Sequence, residues 1–245
     1  MSPMHHIATA VPHVEPVLHQ PAAQMADLNF TTHPLMMMGL LGAMALAPFV
    51  VLMLTSFAKM SVVLSITRNA LGSPSLPPTT VLTGLAVILS AFVMAPVGQD
   101  MYAAGKAAYA TSATGEIDDV LHAAAVSAGP LRAFLLKHGH AEDRSMFLDL
   151  AQQLRGEGHA TDVTAEDVVV VVPAFVISEL KEAFQIGFLI FLPFLVVDML
   201  VANVLMALGM SSLSPTQVSL PFKLLLFVMV DGWHLLAQGL VLGYR

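Results

Sequence analysis

Long apolar runs without charge, and the polar stretches between them, set out this chain. The first run, LMMMGLLGAMALAPFVVLMLTSFA from Leu35 to Ala58, carries no charged residue. It is long enough to cross a hydrocarbon core of about 30 Å at about 1.5 Å per helical residue, and Pro48 predicts a kink within it. The run continues past Lys59 as MSVVLSIT and stops at Arg68-Asn69-Ala70-Leu71-Gly72, where Asn and Gly end helices and SPSLPP forbids continuation. A second uncharged run, Thr79 to Gln99, opens on threonines suited to capping a helix. A third, Val168 to Val197, opens on five valines. In water such β-branching favours a strand, but in lipid an open strand leaves backbone groups unpaired, so a helix is predicted, divided at Pro173 and Pro193. Asp198 opens MLVANVLMALGM, which ends in a turn from Gly209 to Pro215. The last helix, Gln217 to Tyr244, is interrupted at Pro221.

Between the apolar halves the pattern changes. ATGEIDDVLHAAA places acids in the first turn of an Ala-rich helix, and Leu131, Phe134, Leu135, then Met146, Phe147, Leu150 and Leu154 recur at three-to-four-residue spacing. His138 and His140 flank a glycine and mark a helix C-terminus, and Glu142 and Asp143 read as a solvated helix start. The pattern predicts an all-α, helical-hairpin membrane protein with a polar helical insertion. Residues 1–34 form a loosely ordered tail, 35–99 a first apolar hairpin, 100–167 the acidic insertion and 168–245 a second apolar hairpin.

Composition supports the membrane class: 56% of residues are apolar and 11% charged, with a mean hydropathy of +0.77, against about 45–50% and 25% in soluble domains. The net charge of −7 sits almost wholly in the insertion, where eleven acids face five bases between Asp100 and Asp167. No basic cluster offers a surface to nucleic acid or a polybasic membrane anchor. The chain has no cysteine, which excludes disulfides, thiolate catalysis and Cys-based zinc sites. The tail holds His5, His6, His13, His19 and His33, but without a carboxylate frame or a helix to fix their spacing no metal site or other cofactor is predicted. No Lys or Arg precedes Lys59, so no cleaved secretory signal is predicted. Lys59 and Arg68 place the turn between the first two spans on the cytoplasmic side and the insertion outside. No HExxH or GxSxG occurs, so catalysis is not expected.

The candidate functional chemistry lies in the charges within the apolar runs. Glu179, Lys181, Glu182, Asp198, Lys223 and Asp231 occupy the second half, and Lys59 and Arg68 the first. An ionised side chain facing lipid costs several kcal/mol or more, so these groups are predicted to face protein, water or each other. Glu179 and Glu182 share a helical face at i, i+3 while Lys181 points elsewhere. Lys223 and Asp231, eight residues apart, lie on roughly one side of a helix. Four acids balance four bases, and the expected arrangement pairs Glu179 of one copy with Lys223 of the next, Asp198 or Asp231 serving further bases. The alternative is a proton-coupled small-solute transporter or ion channel, which would carry inverted repeats; none is detectable between the apolar halves.

TSFAKMSVVLSITRNALG followed by PP, then AVILSAFVMAPV, and later VPAFVISELKEAFQIGFLIFLPFLVVDMLVANVLMALGM, SP and LPFKLLLFVMVDGW resemble the FliP/SctR family, the core membrane proteins of the export gate in flagellar and injectisome type III secretion. The resemblance covers about residues 45–100 and 168–240. It implies a protein without enzymatic activity in the bacterial inner membrane. Five copies would assemble with FliQ/SctS and FliR/SctT subunits into a helical export gate, held partly in the periplasmic space, through which unfolded substrate proteins pass. Family members carry a methionine-rich loop that closes the channel as a gasket. The matching positions are Met210, Ser211, Ser212 and Leu213, where two expected methionines are serines. Lys59 and the phrase AFVMAPV resemble the injectisome SctR branch more than flagellar FliP.

Overall fold

The computed structural model describes residues 34–73, 77–111, 117–155, 163–210 and 212–245, and among them all regular structure is helical. The helices are α1 (Pro34–Met53), α2 (Phe57–Ala70), α3 (Thr79–Thr111), α4 (Ile117–Ser127), α5 (Gly129–His138), α6 (Ala141–Arg155), α7 (Val168–Ala207), α8 (Pro215–Met229) and α9 (Gly232–Leu242). The expected tail, with its five histidines, lies outside the described residues. The chain divides into two units, Met1–Ala47 and Pro48–Arg245. Of the first, the described part is the start of α1, an uncharged helix with Met38, Leu41, Met44 and Leu46 exposed.

The second unit is built on α2 and α7. On α2, Met60, Val63, Leu64 and Thr67 are buried at i, i+3, i+4 and i+7, and Leu71, which caps the helix, continues the line at i+11, the stripe by which a helix buries one face. Val171, Phe175, Ser178, Glu179 and Ala183 form the matching stripe of α7. The two helices approach closely at Gly187, where a Cβ would stand 2.5 Å from Ile66 Cδ1. The insertion packs onto this pair: Phe134 of α5 meets Phe175 at 5.8 Å between ring centres, and α6 lies along α7.

The breaks fall where proline did not place them. Pro48 sits inside α1, and the chain bends by 66° between α1 and α2. There Thr55 Oγ1 donates to the Leu52 carbonyl at 3.2 Å and accepts the Phe57 N–H at 3.4 Å, while buried Ser56 bonds Ser90 of α3 at 3.1 Å. The predicted breaks at Pro173 and Pro193 are absent, because α7 runs unbroken for 40 residues through both prolines and through Asp198. Each proline removes one backbone bond, but in apolar surroundings helix remains the way to satisfy the others. α3 continues past Gln99 to Thr111, so the expected boundary at residue 100 lies inside a helix. Pro221 is inside α8; the last helix breaks instead at Asp231, whose φ of +52° is left-handed, with a bend of 61° between α8 and α9. Gly232 allows that bend, since a Cβ there would lie 2.3 Å from the Phe227 ring.

Candidate functional site

Two polar clusters lie inside this apolar frame. In the first, Lys59 on the core face of α2 meets Glu179 and Glu182, which α7 presents together as their i, i+3 spacing predicts. Lys59 Nζ is 2.9 Å from Glu179 Oε1 and 2.6 Å from Glu182 Oε2, with exposures of 2%, 0% and 31% respectively. The Tyr244 hydroxyl donates to Glu179 Oε2, and the Lys59 ammonium lies 4.1 Å from the centre of the Tyr244 ring, close enough for a cation–π contact. Phe134 stacks on that ring at 5.9 Å, and His138 meets its edge at 5.0 Å. Burial, with Lys137 and Lys59 nearby, holds His138 below its ordinary pKa and favours the neutral ring.

The cluster continues into the insertion. His140, on the turn between α5 and α6, bonds Glu182 Oε1 through Nε2 at 2.8 Å, and its Nδ1 lies 3.6 Å from Asp143 Oδ2. Asp143 accepts from Lys181 at 2.7 Å and from Ser178 at 2.7 Å. The expected solvated helix start is therefore half right. α6 begins there, with Glu142 exposed, but Asp143 is buried because Lys181, on the flank of α7, faces the insertion. Burial alone would raise the Asp143 pKa; the bonds from Lys181 and Ser178 outweigh it and leave the carboxyl below its ordinary value.

The second cluster holds α8. Lys223, 2% exposed, pairs with Asp198 Oδ2 at 2.6 Å and donates to the Ala70 carbonyl at the end of α2 at 3.1 Å. Ser219 donates to Asp198 Oδ1 at 2.5 Å. Within one chain Glu179 pairs with Lys59 and Lys223 with Asp198, so each member of the Glu179–Lys223 pair expected between copies also has a partner in its own chain. Lys223 and Asp231 are separated by the break before α9, and Asp231 is exposed. Arg68, half-buried, donates to Thr79 Oγ1 at 2.6 Å. Tyr244, Ser178 and Ser219 were not singled out by the sequence, and His140 was read as marking a helix C-terminus. Ser178 and Ser219 carried a spacing signal, each one helical turn before a charged residue, Glu182 and Lys223.

Beyond the second cluster stands the turn between α7 and α8. α7 ends in a Schellman motif: Gly209, at φ +72°, donates to the Met206 carbonyl at 3.0 Å, and Met210 donates to Leu205 at 2.9 Å. The left-handed glycine turns Met210 outward, and Met210, Ser212 and Leu213 are all exposed. Ser211 lies outside the described residues.

The FliP family matches over residues 40–240. The chain belongs to the FliP family. It is 46% identical over 205 residues to the hypersensitivity response secretion protein HrcR of Ralstonia nicotianae, covering 83% of this chain and 94% of that protein. It is 44% identical over 207 residues to the Yop proteins translocation protein R of Yersinia pestis, covering 83% and 93%. It is 40% identical over 235 residues to the flagellar biosynthetic protein FliP of Caulobacter vibrioides, covering 92% and 85%. The secretion proteins exceed the flagellar one in identity, in the direction that Lys59 and AFVMAPV implied. FliP-family proteins are membrane components of bacterial secretion and flagellar export rather than enzymes. α3 and α7 are each long and apolar enough to cross a membrane, and each bent pair, α1–α2 and α8–α9, would add one more span if it crosses as a unit.

Proposed function

We propose that this FliP-family chain is a pore-forming subunit of a type III secretion export apparatus. In this reading five copies join FliQ/SctS and FliR/SctT subunits to conduct unfolded proteins across the bacterial inner membrane. The observation that carries the reading is a mismatch within one chain. Its buried core charges are matched internally, yet α3 and α7 leave most of their apolar surface uncovered. Phe184, Phe188, Leu189, Met199 and Leu200 are exposed along α7. Self-sufficient ion pairs remove one expected glue between copies; the uncovered apolar faces supply another, toward lipid, sister copies and partner subunits. The turn from Gly209 to Ser214 is the constriction. Met210 and Leu213 are its apolar contacts, and the serines between them make it narrower in apolar surface and wetter than a run of methionines.

The transporter alternative places a solute pocket against ionisable side chains. The cavity of about 300 Å³ between α7, α8 and α9 is lined by Ile186, Ile190, Phe194, Phe227 and Leu236 among other uncharged residues, a poor fit to that chemistry. The test is export with variants of the turn. Met210→Ser/Leu213→Ser is expected to keep assembly while raising small-ion leak through the resting complex several-fold, and Ser211→Met/Ser212→Met to lower it. Unchanged leak in both, with the assembled complex present, would remove the turn from the channel.

A further inference from the structure

The hairpin of α7 and α8 carries the turn at its tip, and its described side-chain hydrogen bonds between the two arms meet at one residue. Asp198 accepts from Ser219 and from Lys223 of α8. Lys223 also reaches outside the hairpin. Its second contact is the Ala70 carbonyl, one of the last carbonyls of α2, left without a helical partner and lying at the negative end of the helix dipole. Gly72, at φ +75°, stands in the turn that follows, and a Cβ there would sit 3.4 Å from Thr216 Cγ2 and 3.5 Å from Lys223 Nζ. The end of α2, the last third of α7 and the middle of α8 therefore converge on one buried ammonium. On the tip side of Asp198 the packing thins: Met199, Leu200, Val204, Met206 and Leu208 are exposed, and Leu205 is the buried apolar residue.

We infer that Asp198 and Lys223 form a clamp that fixes the direction in which the α7–α8 turn points, with α2 as its anchor. They are positioning residues: neither lies in the turn, and both act on it through the stiffness of two short helical arms. A compact ammonium suits the post because it can donate to Asp198 and to a backbone carbonyl at once, which a neutral side chain of equal length cannot. The consequence for export rests on the reading of the turn as the constriction; the clamp itself does not.

The chain contains no cysteine, so labels can be placed at will. Spin labels at Ser65→Cys on the exposed face of α2 and Ser212→Cys in the turn report the direction of the tip, and a pair at Ser65→Cys and Phe188→Cys reports α2 against α7 below the clamp. In the full-length protein the first distance distribution is expected to be narrow. Lys223→Met and Asp198→Asn should each broaden or shift it while leaving the Ser65–Phe188 distance unchanged, and Lys223→Arg should keep it narrow. If Lys223→Met does not accumulate, Asp198→Asn, which keeps a group able to bond Ser219, carries the same reading. A Ser65–Ser212 distribution in Asp198→Asn that is both narrow and unshifted would overturn the clamp, as would equal broadening of both pairs. Should the clamp variants move the tip while substitutions at Met210 and Leu213 leave leak and export untouched, the clamp stands and the constriction falls.

Discussion

Lys59 shows how one buried cation can hold two helices in register. Its ammonium lies against Glu179 and Glu182 of α7 with the Tyr244 ring over it, so its desolvation is offset by two carboxylates and a π face. Removing it leaves Glu179 buried and uncompensated. Lys59→Ala is therefore expected to cost about 3–5 kcal/mol, read as a fall in the Tm of the detergent-solubilised protein. Glu182→Gln should cost about 1 kcal/mol, since Glu182 is partly exposed and keeps an amide able to bond. Lys59→Met/Glu179→Gln, which removes charge and counter-charge together, should recover part of the loss. Equal losses in Lys59→Ala and Glu182→Gln would show that burial does not set the ranking. The sequence marked every charge in this cluster on the apolar helices, because an ion in an apolar run is conspicuous. It did not show the pairings within the chain, because these depend on which faces meet, and that is decided by small residues such as Gly187 and Ala183, which carry no charge signal.

At the scale of elements, the existence of the apolar helices was plain from their length, while their ends and bends were not. Three prolines, Pro173, Pro193 and Pro221, predicted breaks inside helices that run on through them, and the breaks between α1 and α2 and between α8 and α9 fall at Thr55-Ser56 and Asp231-Gly232. The second is a DG pair, a turn signal in its own right, which the apolar context obscured. The first follows from a hydrogen bond to Ser90 on another helix, a long-range contact that no local pattern encodes. The close approach of α2 and α7 has a direct test. Gly187→Ala gains about 1 kcal/mol of helix propensity, but the new Cβ would lie 2.5, 2.9 and 3.1 Å from Ile66 Cδ1, Cγ2 and Cβ. The branched side chain cannot swing all three atoms clear, so overpacking of about 1–3 kcal/mol is expected to win. Gly187→Ala should lower Tm, and Gly187→Ala/Ile66→Ala should lose less than the sum of the two single losses; strict additivity would mean that these helices do not meet as described.

For the whole molecule the question is how a polar insertion stays attached to a membrane core. The insertion was legible as helical and acidic, but its attachment was not, because Asp143 sits in an ordinary-looking acidic helix start. The structure ties it down through Asp143, which accepts from Lys181 and Ser178 of α7 while Ser178 also accepts the His140 N–H at 2.8 Å. The Asp143 carboxyl titrates below its ordinary value of 3.8, so the native state favours the ionised form more than the unfolded chain does. Its stabilisation is accordingly complete above the ordinary value and is lost as the pH falls from there through the lower native value. With Lys181 half in solvent, the tie is worth about 1–2 kcal/mol. Hydrogen exchange along α6, corrected for the intrinsic rate, should show full protection at pH 6 and a loss of roughly ten-fold once the pH has fallen below the lowered native value. Asp143→Asn should already show the reduced protection at pH 6 and little further change on acidification. If the variant instead kept wild-type protection at pH 6, the insertion would be held by its other contacts, the Phe134–Phe175 packing and the His140–Glu182 bond among them, and the Asp143 tie would be a passenger on them.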